Sequence, residues 1–210
     1  MSPDALEKTL VEGARELGIS LKPAQTASFL RLVAELAEWN QRFNLTAITE
    51  PADMVRKHLL DSLTVQPYLR GARIADVGTG AGFPGLPLAV IDPERRYTLI
   101  EATGKKARFV AHAVAALGLA NVEVVNARSE SWRAALPFDC VISRALGKLA
   151  DFVRVAGHLC TRDGRLLAMK GRRPADELTD LPAGWRVIAV HEVRVPGLDA
   201  ERCIVELGRA

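Results

Sequence analysis

The sequence predicts an α/β fold: a seven-stranded, mostly parallel sheet with helices on both faces, an antiparallel hairpin at its C-terminal edge, and a helical segment in front. Three observations predict it. After Gly71, short apolar runs alternate with helical ones. The first run, RIADV at 73–77, leads into a glycine-rich bend that opens a helix. The last two runs, WRVIAVHEVRV at 185–195 and ERCIVELG at 201–208, are joined only by PGLDA. That link is too short for a crossover helix, so the two must pair antiparallel.

Taken in order, residues 3–17 place Leu6, Leu10, Ala14 and Leu17 at helical spacing, and Gly18 ends the stripe. A second helix is expected over 23–42, opened by Pro23, with Phe29, Leu30, Val33, Leu36, Ala37 and Phe43 on one face. A third, 51–66, turns Met54, Val55, Leu59, Ser62 and Leu63 inward. Strands follow at 73–77, 97–101, 122–125, 139–143 and 165–170. Helices fall between them at 85–91, 105–118, 129–135 and 147–160. The division expected is a helical segment, 1–70, packed on a main domain, 71–210.

The chain of 210 residues is 49% hydrophobic and 25% charged, an ordinary globular composition. Net charge is +3, unevenly spread: residues 1–104 hold 11 Lys and Arg against 13 Asp and Glu, residues 105–210 hold 17 against 12. An anionic partner is allowed and would meet the second half, although from charge alone a solvated charged surface is the better explanation of the bias. Cys140, Cys160 and Cys203 form no CxxC pair and sit in apolar surroundings. They read as buried free thiols in a reducing compartment, and no metal is expected. The N-terminus is too charged for a signal peptide, and no apolar run approaches the ~20 residues of a membrane span. A cytoplasmic monomer is expected.

The bend is DVGTGAGFPG, 76–85. Gly80, Gly82 and Gly85 match GxGxxG between a strand and a helix, and Glu101 ends the next strand, where a ribose-binding acid belongs. A nicotinamide dinucleotide is one reading. Asp76 argues against it: a carboxylate at the loop entrance repels a pyrophosphate. S-adenosylmethionine has no phosphate and carries a sulfonium and an ammonium, so Asp76 favours it. Glycines that merely make a tight packing turn are the plain alternative. Together with the terminal hairpin, the arrangement looks like the class I S-adenosylmethionine-dependent methyltransferase fold.

More specific blocks follow one another along the chain. They are WNQRFNLTAIT (39–49), RKHLLDS (56–62), DVGTGAGFPGLPLA (76–89), VISRA (141–145), AMKG (168–171) and VPGLDAERCIV (195–205). They resemble the glucose-inhibited division protein B family over nearly the whole length. Members are 16S ribosomal RNA methyltransferases that form 7-methylguanosine in the decoding-region loop. The resemblance implies cofactor contacts at Gly78, Phe83, Ser129, Glu130 and Arg144, beside Asp76, Gly80 and Glu101 from the loop itself. Ser129 departs from a commoner small apolar residue. It also implies that Arg128, Lys170, Arg202 and His58 position the RNA. A helix-surface histidine remains the alternative for His58, a surface ion pair for Arg144, and a solvated acid for Glu130. Lys105, Lys106 and Arg108 crowd a helix start, the unfavourable dipole end for cations, and read as an RNA contact or a solvated face.

Guanine N7 has a free lone pair at neutral pH, so its methylation needs no general base, and the sequence offers no catalytic dyad. A small-molecule methyltransferase and a non-catalytic ribosome-associated module are the competing readings.

Overall fold

The computed structural model describes residues 2–144 and 146–210. Ala145, the last residue of the VISRA block, lies outside the described residues.

Helix α1 (Pro3–Glu16) starts on Ser2, whose hydroxyl accepts from Ala5 N at 3.3 Å. Helix α2 (Pro23–Phe43) ends on Asn44 in the left-handed region, φ 48°. The third predicted helix is less regular. Helix α3 (Pro51–Met54) widens into a π-helical segment, Val55–Leu60, before α4 (Asp61–Leu63) closes it. Such wide turns re-aim side chains and cluster at functional sites. This one carries His58 and delivers Asp61.

The main domain is a seven-stranded sheet in the order β3-β2-β1-β4-β5-β7-β6. Strands β1 (Arg73–Val77), β2 (Arg96–Ile100), β3 (Val122–Val125), β4 (Phe138–Arg144) and β5 (Cys160–Lys170) run parallel. Strand β7 (Arg202–Arg209) lies antiparallel between β5 and β6 (Trp185–Val193). The hairpin therefore forms the edge, as its short link requires. Helices α5 (Gly85–Ile91), α6 (Gly104–Leu117) and α7 (Leu149–Ala156) connect the parallel strands.

Two expectations fail. The helix expected at 129–135 does not form. One turn closes when Trp132 N reaches Arg128 O, but Arg133 Nη1 then takes the carbonyls of Glu130 and Trp132. The helix expected at 147–160 runs only over α7. A tight 3₁₀ turn, Gly157–Leu159, follows, and β5 begins at Cys160. The early part of β5 escapes a periodicity reading because its register slips between Phe138 and Cys140.

One core joins the helical segment to the sheet. Leu10, Phe29, Leu36 and Leu59 pack with Ile74, Leu99, Phe109 and Ile204. A second core on the other face joins α7 and the hairpin through Phe152, Leu166, Trp185 and Val205. The three cysteines are buried, and burial pushes the Cys140 and Cys160 thiols up to about 12.

Candidate functional site

The loop after β1 is tied from both sides. Gly78 N and Thr79 N donate to Ile100 O on β2 at 2.9 and 3.2 Å. Gly80 has φ 63°, and its N–H donates to Glu101 Oε2 at 2.9 Å. Glu101 Oε1 accepts from Thr103 N at 2.7 Å. A Cβ on Gly80 would project into open space, whereas one on Gly85 would strike Leu99. One glycine is there for conformation and the other for close approach.

Asp76 is not at the loop mouth, as the sequence suggests. It is wholly buried beneath the loop, where Oδ2 accepts from Thr79 Oγ1 at 2.6 Å and from Gly85 N at 2.8 Å. Burial raises its pKa to about 6 against the pull of those two bonds, and Oδ1 has no hydrogen-bond partner among the described residues. Asp76 therefore shapes the loop and biases its potential, and does not line the cavity above.

That cavity, about 270 Å³, is lined by Gly78, Gly80, Phe83, Glu101 and Lys106 together with Thr46, His58 and Arg144. A second cavity, about 400 Å³, shares His58 and Arg144 as its wall and continues to Lys57, Asp61, Lys170 and Arg202. The shared wall is densely bonded. His58 stacks on Phe83 with centroids 4.6 Å apart and planes at 11°. Arg144 lies 5.5 Å from the same ring. Its Nη1 donates to Lys57 O and to Asp61 Oδ2, both at 3.0 Å, and Nη2 faces His58 Nδ1 at 3.2 Å. Burial, aided by the Arg144 charge, drops the His58 pKa to about 3, so the ring is neutral.

Asp61 is a residue of this candidate site that the sequence reading missed. Its Oδ1 accepts from Arg202 Nε at 2.9 Å while Oδ2 holds Arg144, so one buried carboxylate links both arginines. The only signal was its place in RKHLLDS beside His58; its two partners lie 83 and 141 residues away.

Lys170 also reaches the second cavity, but its ammonium is engaged. It donates to Gly147 O and to both Glu177 oxygens, at 3.1 and 2.8 Å. Burial opposes the charge on Glu177, yet Lys170 and the Leu149 N–H outweigh it and hold its pKa below the ordinary carboxylate value. Arg128, Ser129 and Glu130 line neither cavity. Their turn is docked nearby, since Asn126 Nδ2 donates to Glu101 O at 2.8 Å. Within it Arg128 pairs only loosely with Glu130, at 3.8 Å. Of the basic tract on α6, Lys106 lines the first cavity, while Lys105 Nζ caps α2 through Phe43 O at 2.8 Å.

The fold is that of the class I S-adenosylmethionine-dependent methyltransferases. A SAM dependent methyltransferase from Aquifex aeolicus superposes with TM-score 0.57 at 21% identity, covering 78% of this chain and 96% of that one. TrmN from Thermus thermophilus superposes with TM-score 0.58 at 20% identity, over 74% and 53%.

The family is given by sequence. The model of the family described as GidB, rRNA small subunit methyltransferase G, matches residues 25–205. Ribosomal RNA small subunit methyltransferase G of Methylococcus capsulatus is 50% identical over 198 residues, 94% of this chain and 96% of its own. The protein of that name from Ectopseudomonas mendocina is 47% identical over 203 residues, 96% and 95%. The chain belongs to the rRNA small subunit methyltransferase G family.

Proposed function

We propose that the chain transfers the methyl group of S-adenosylmethionine to N7 of a guanine in the decoding-region loop of 16S ribosomal RNA. The observation that carries this reading is the shared wall. A glycine-loop cavity and a cation-lined cavity adjoin at His58 and Arg144, which sets the cofactor's site beside the site for the RNA base.

The first cavity suits the cofactor. Glu101 keeps lone pairs for ribose hydroxyls after accepting from Gly80 and Thr103. The orphaned Asp76 oxygen below the loop disfavours a phosphate and favours a cationic ligand. Gly78, Gly80, Phe83 and Glu101 would hold it, with Arg144 across the cavity and the turn at Ser129 and Glu130 flanking the Glu101 side. When bound, the cofactor supplies an electrophilic methyl on sulfur.

The protein's share of the chemistry is position and charge. Guanine N7 attacks through its own lone pair, so no side chain has to remove a proton. With its pKa held down to about 3 by burial, His58 is too weak a base to take a proton at pH 7, which agrees with that requirement. Arg202 and Lys170 hold guanine O6 or flanking phosphates; a fork on both O6 and N7 would cover the attacked atom. Lys170 must exchange its Glu177 partner for RNA to do so. A base that enters such a cavity is unstacked from its strand.

Labelled methyl-S-adenosylmethionine and small subunits from a strain lacking the enzyme test the reading. Label recovered in 7-methylguanosine at one site supports it. Cofactor binding without label would move the substrate elsewhere. Replacing Lys170 or Arg202 with alanine should reduce transfer to small subunits by at least ~10-fold, with cofactor affinity within about twofold. Unchanged turnover in both variants would overturn their assignment.

A further inference from the structure

The Thr46 hydroxyl sits in a bonding pattern that leaves one direction for its hydrogen. Arginine only donates, so the placement of Arg144 Nη2, 3.2 Å from His58 Nδ1, assigns a lone pair to that nitrogen. The neutral ring then carries its hydrogen on Nε2, which lies 3.0 Å from Thr46 Oγ1 and donates to it. Ile48 N also donates to Thr46 Oγ1, at 3.1 Å. Both acceptor positions of the hydroxyl are filled by groups that cannot accept. The residue itself is pinned, because Thr46 N donates to Asn40 Oδ1 at 2.8 Å. What remains is the hydroxyl hydrogen of a residue that lines the 270 Å³ cavity.

We propose that Thr46 is a cofactor-binding residue whose hydroxyl donates to the carboxylate of S-adenosylmethionine, an inference that rests on the cofactor reading above. The choice of atom follows from the chemistry of the cavity's lining. Glu101 accepts and suits the ribose hydroxyls, and adenine goes with the ribose. The sulfonium and ammonium cannot accept from a hydroxyl. The carboxylate can, and Arg144 beside Thr46 keeps Nε and one Nη2 hydrogen outside the bonds described. Through His58, the same chain of bonds links the cofactor cavity to Asp61 and Arg202 in the neighbouring one.

Calorimetric titration of the purified chain with S-adenosylmethionine and with its decarboxylated form tests this. Thr46→Val should weaken S-adenosylmethionine roughly 10- to 100-fold, the range for a hydrogen bond to a charged group. It should leave the decarboxylated ligand within about twofold. Thr46→Ser should bind both as the parent does. If Thr46→Val does not fold, Thr46→Ala, which leaves room for a water on His58 and Ile48, is read by the same ratio. Equal losses for the two ligands, or no loss for either, would overturn the proposal. A parent chain that binds neither ligand would instead overturn the cofactor reading.

Discussion

Asp76 and His58 titrate in opposite senses over overlapping pH windows. The Asp76 carboxyl is raised by burial from 3.8 to about 6. The folded state therefore holds more protons between those values, and stability falls as pH rises through them. The His58 ring is lowered from 6.5 to about 3, first by burial. There the unfolded chain holds the extra proton, and stability falls as pH drops below 6.5. Thermal melts between pH 4 and 7.5 should separate the two. Relative to Asp76→Asn, the parent should gain Tm as pH falls from 7 to 4; relative to His58→Gln, it should lose Tm. Parallel curves for parent and variant would mean that the group does not titrate as described. Asp61→Asn is the sharper functional change. The amide oxygen can serve one arginine but presents an NH₂ to the other. Loss of one charge-assisted bond should lower kcat/KM on small subunits by roughly 10- to 100-fold. An unchanged kcat/KM would remove Asp61 from the site.

At the level of elements, the start of α5 is the tightest junction. Gly85 touches Leu99 on β2 and gives its N–H to Asp76. A Gly85→Ala change forces Leu99 away, and overpacking of this kind costs about 1–3 kcal/mol. The loop moves with it, so cofactor affinity should fall together with the denaturation midpoint. A stable Gly85→Ala protein with parent-like affinity would contradict the packing described. Other elements show how far periodicity reaches. The α1 stripe predicted by Leu6, Leu10 and Ala14 forms, with Leu10 and Ala14 buried. In contrast, Trp132, Ala134 and Leu136 alternate at period two, and the helix expected at 129–135 ends after one turn. The inward residues of 51–66 were legible, Met54, Val55, Leu59, Ser62 and Leu63 all being buried. The π turn among them was not, because a stripe of five inward residues over one short helix does not fix how many residues each turn holds.

Over the whole molecule, the helical segment and the sheet share one core, in which Phe29 is fully buried. Phe29→Ala should cost about 3–5 kcal/mol. Trp39 on α2 and Trp185 on β6 report from opposite ends of the architecture. Single-tryptophan variants retaining one or the other should unfold at the same urea concentration. A separate, earlier transition at Trp39 would mean that residues 1–70 fold independently of the sheet.

The sequence by itself determined the succession of strands, the edge hairpin, the glycine loop and its acid Glu101. These are local: each follows from periodicity, a turn residue or a link too short to cross the sheet. It also marked His58, Arg144, Lys170 and Arg202 through resemblance. Only the tertiary structure decided what those residues do to one another. Asp61 joins Arg144 to Arg202 across 83 and 141 positions of chain. Asp76 turned out to support the loop from below, because burial and hydrogen-bond partners depend on what packs above a strand end. Ser129 and Glu130 lie in a single turn after β3 and not in a helix, which periodicity alone did not show. Long-range polar pairing has no period, so it becomes visible only when the chain is folded.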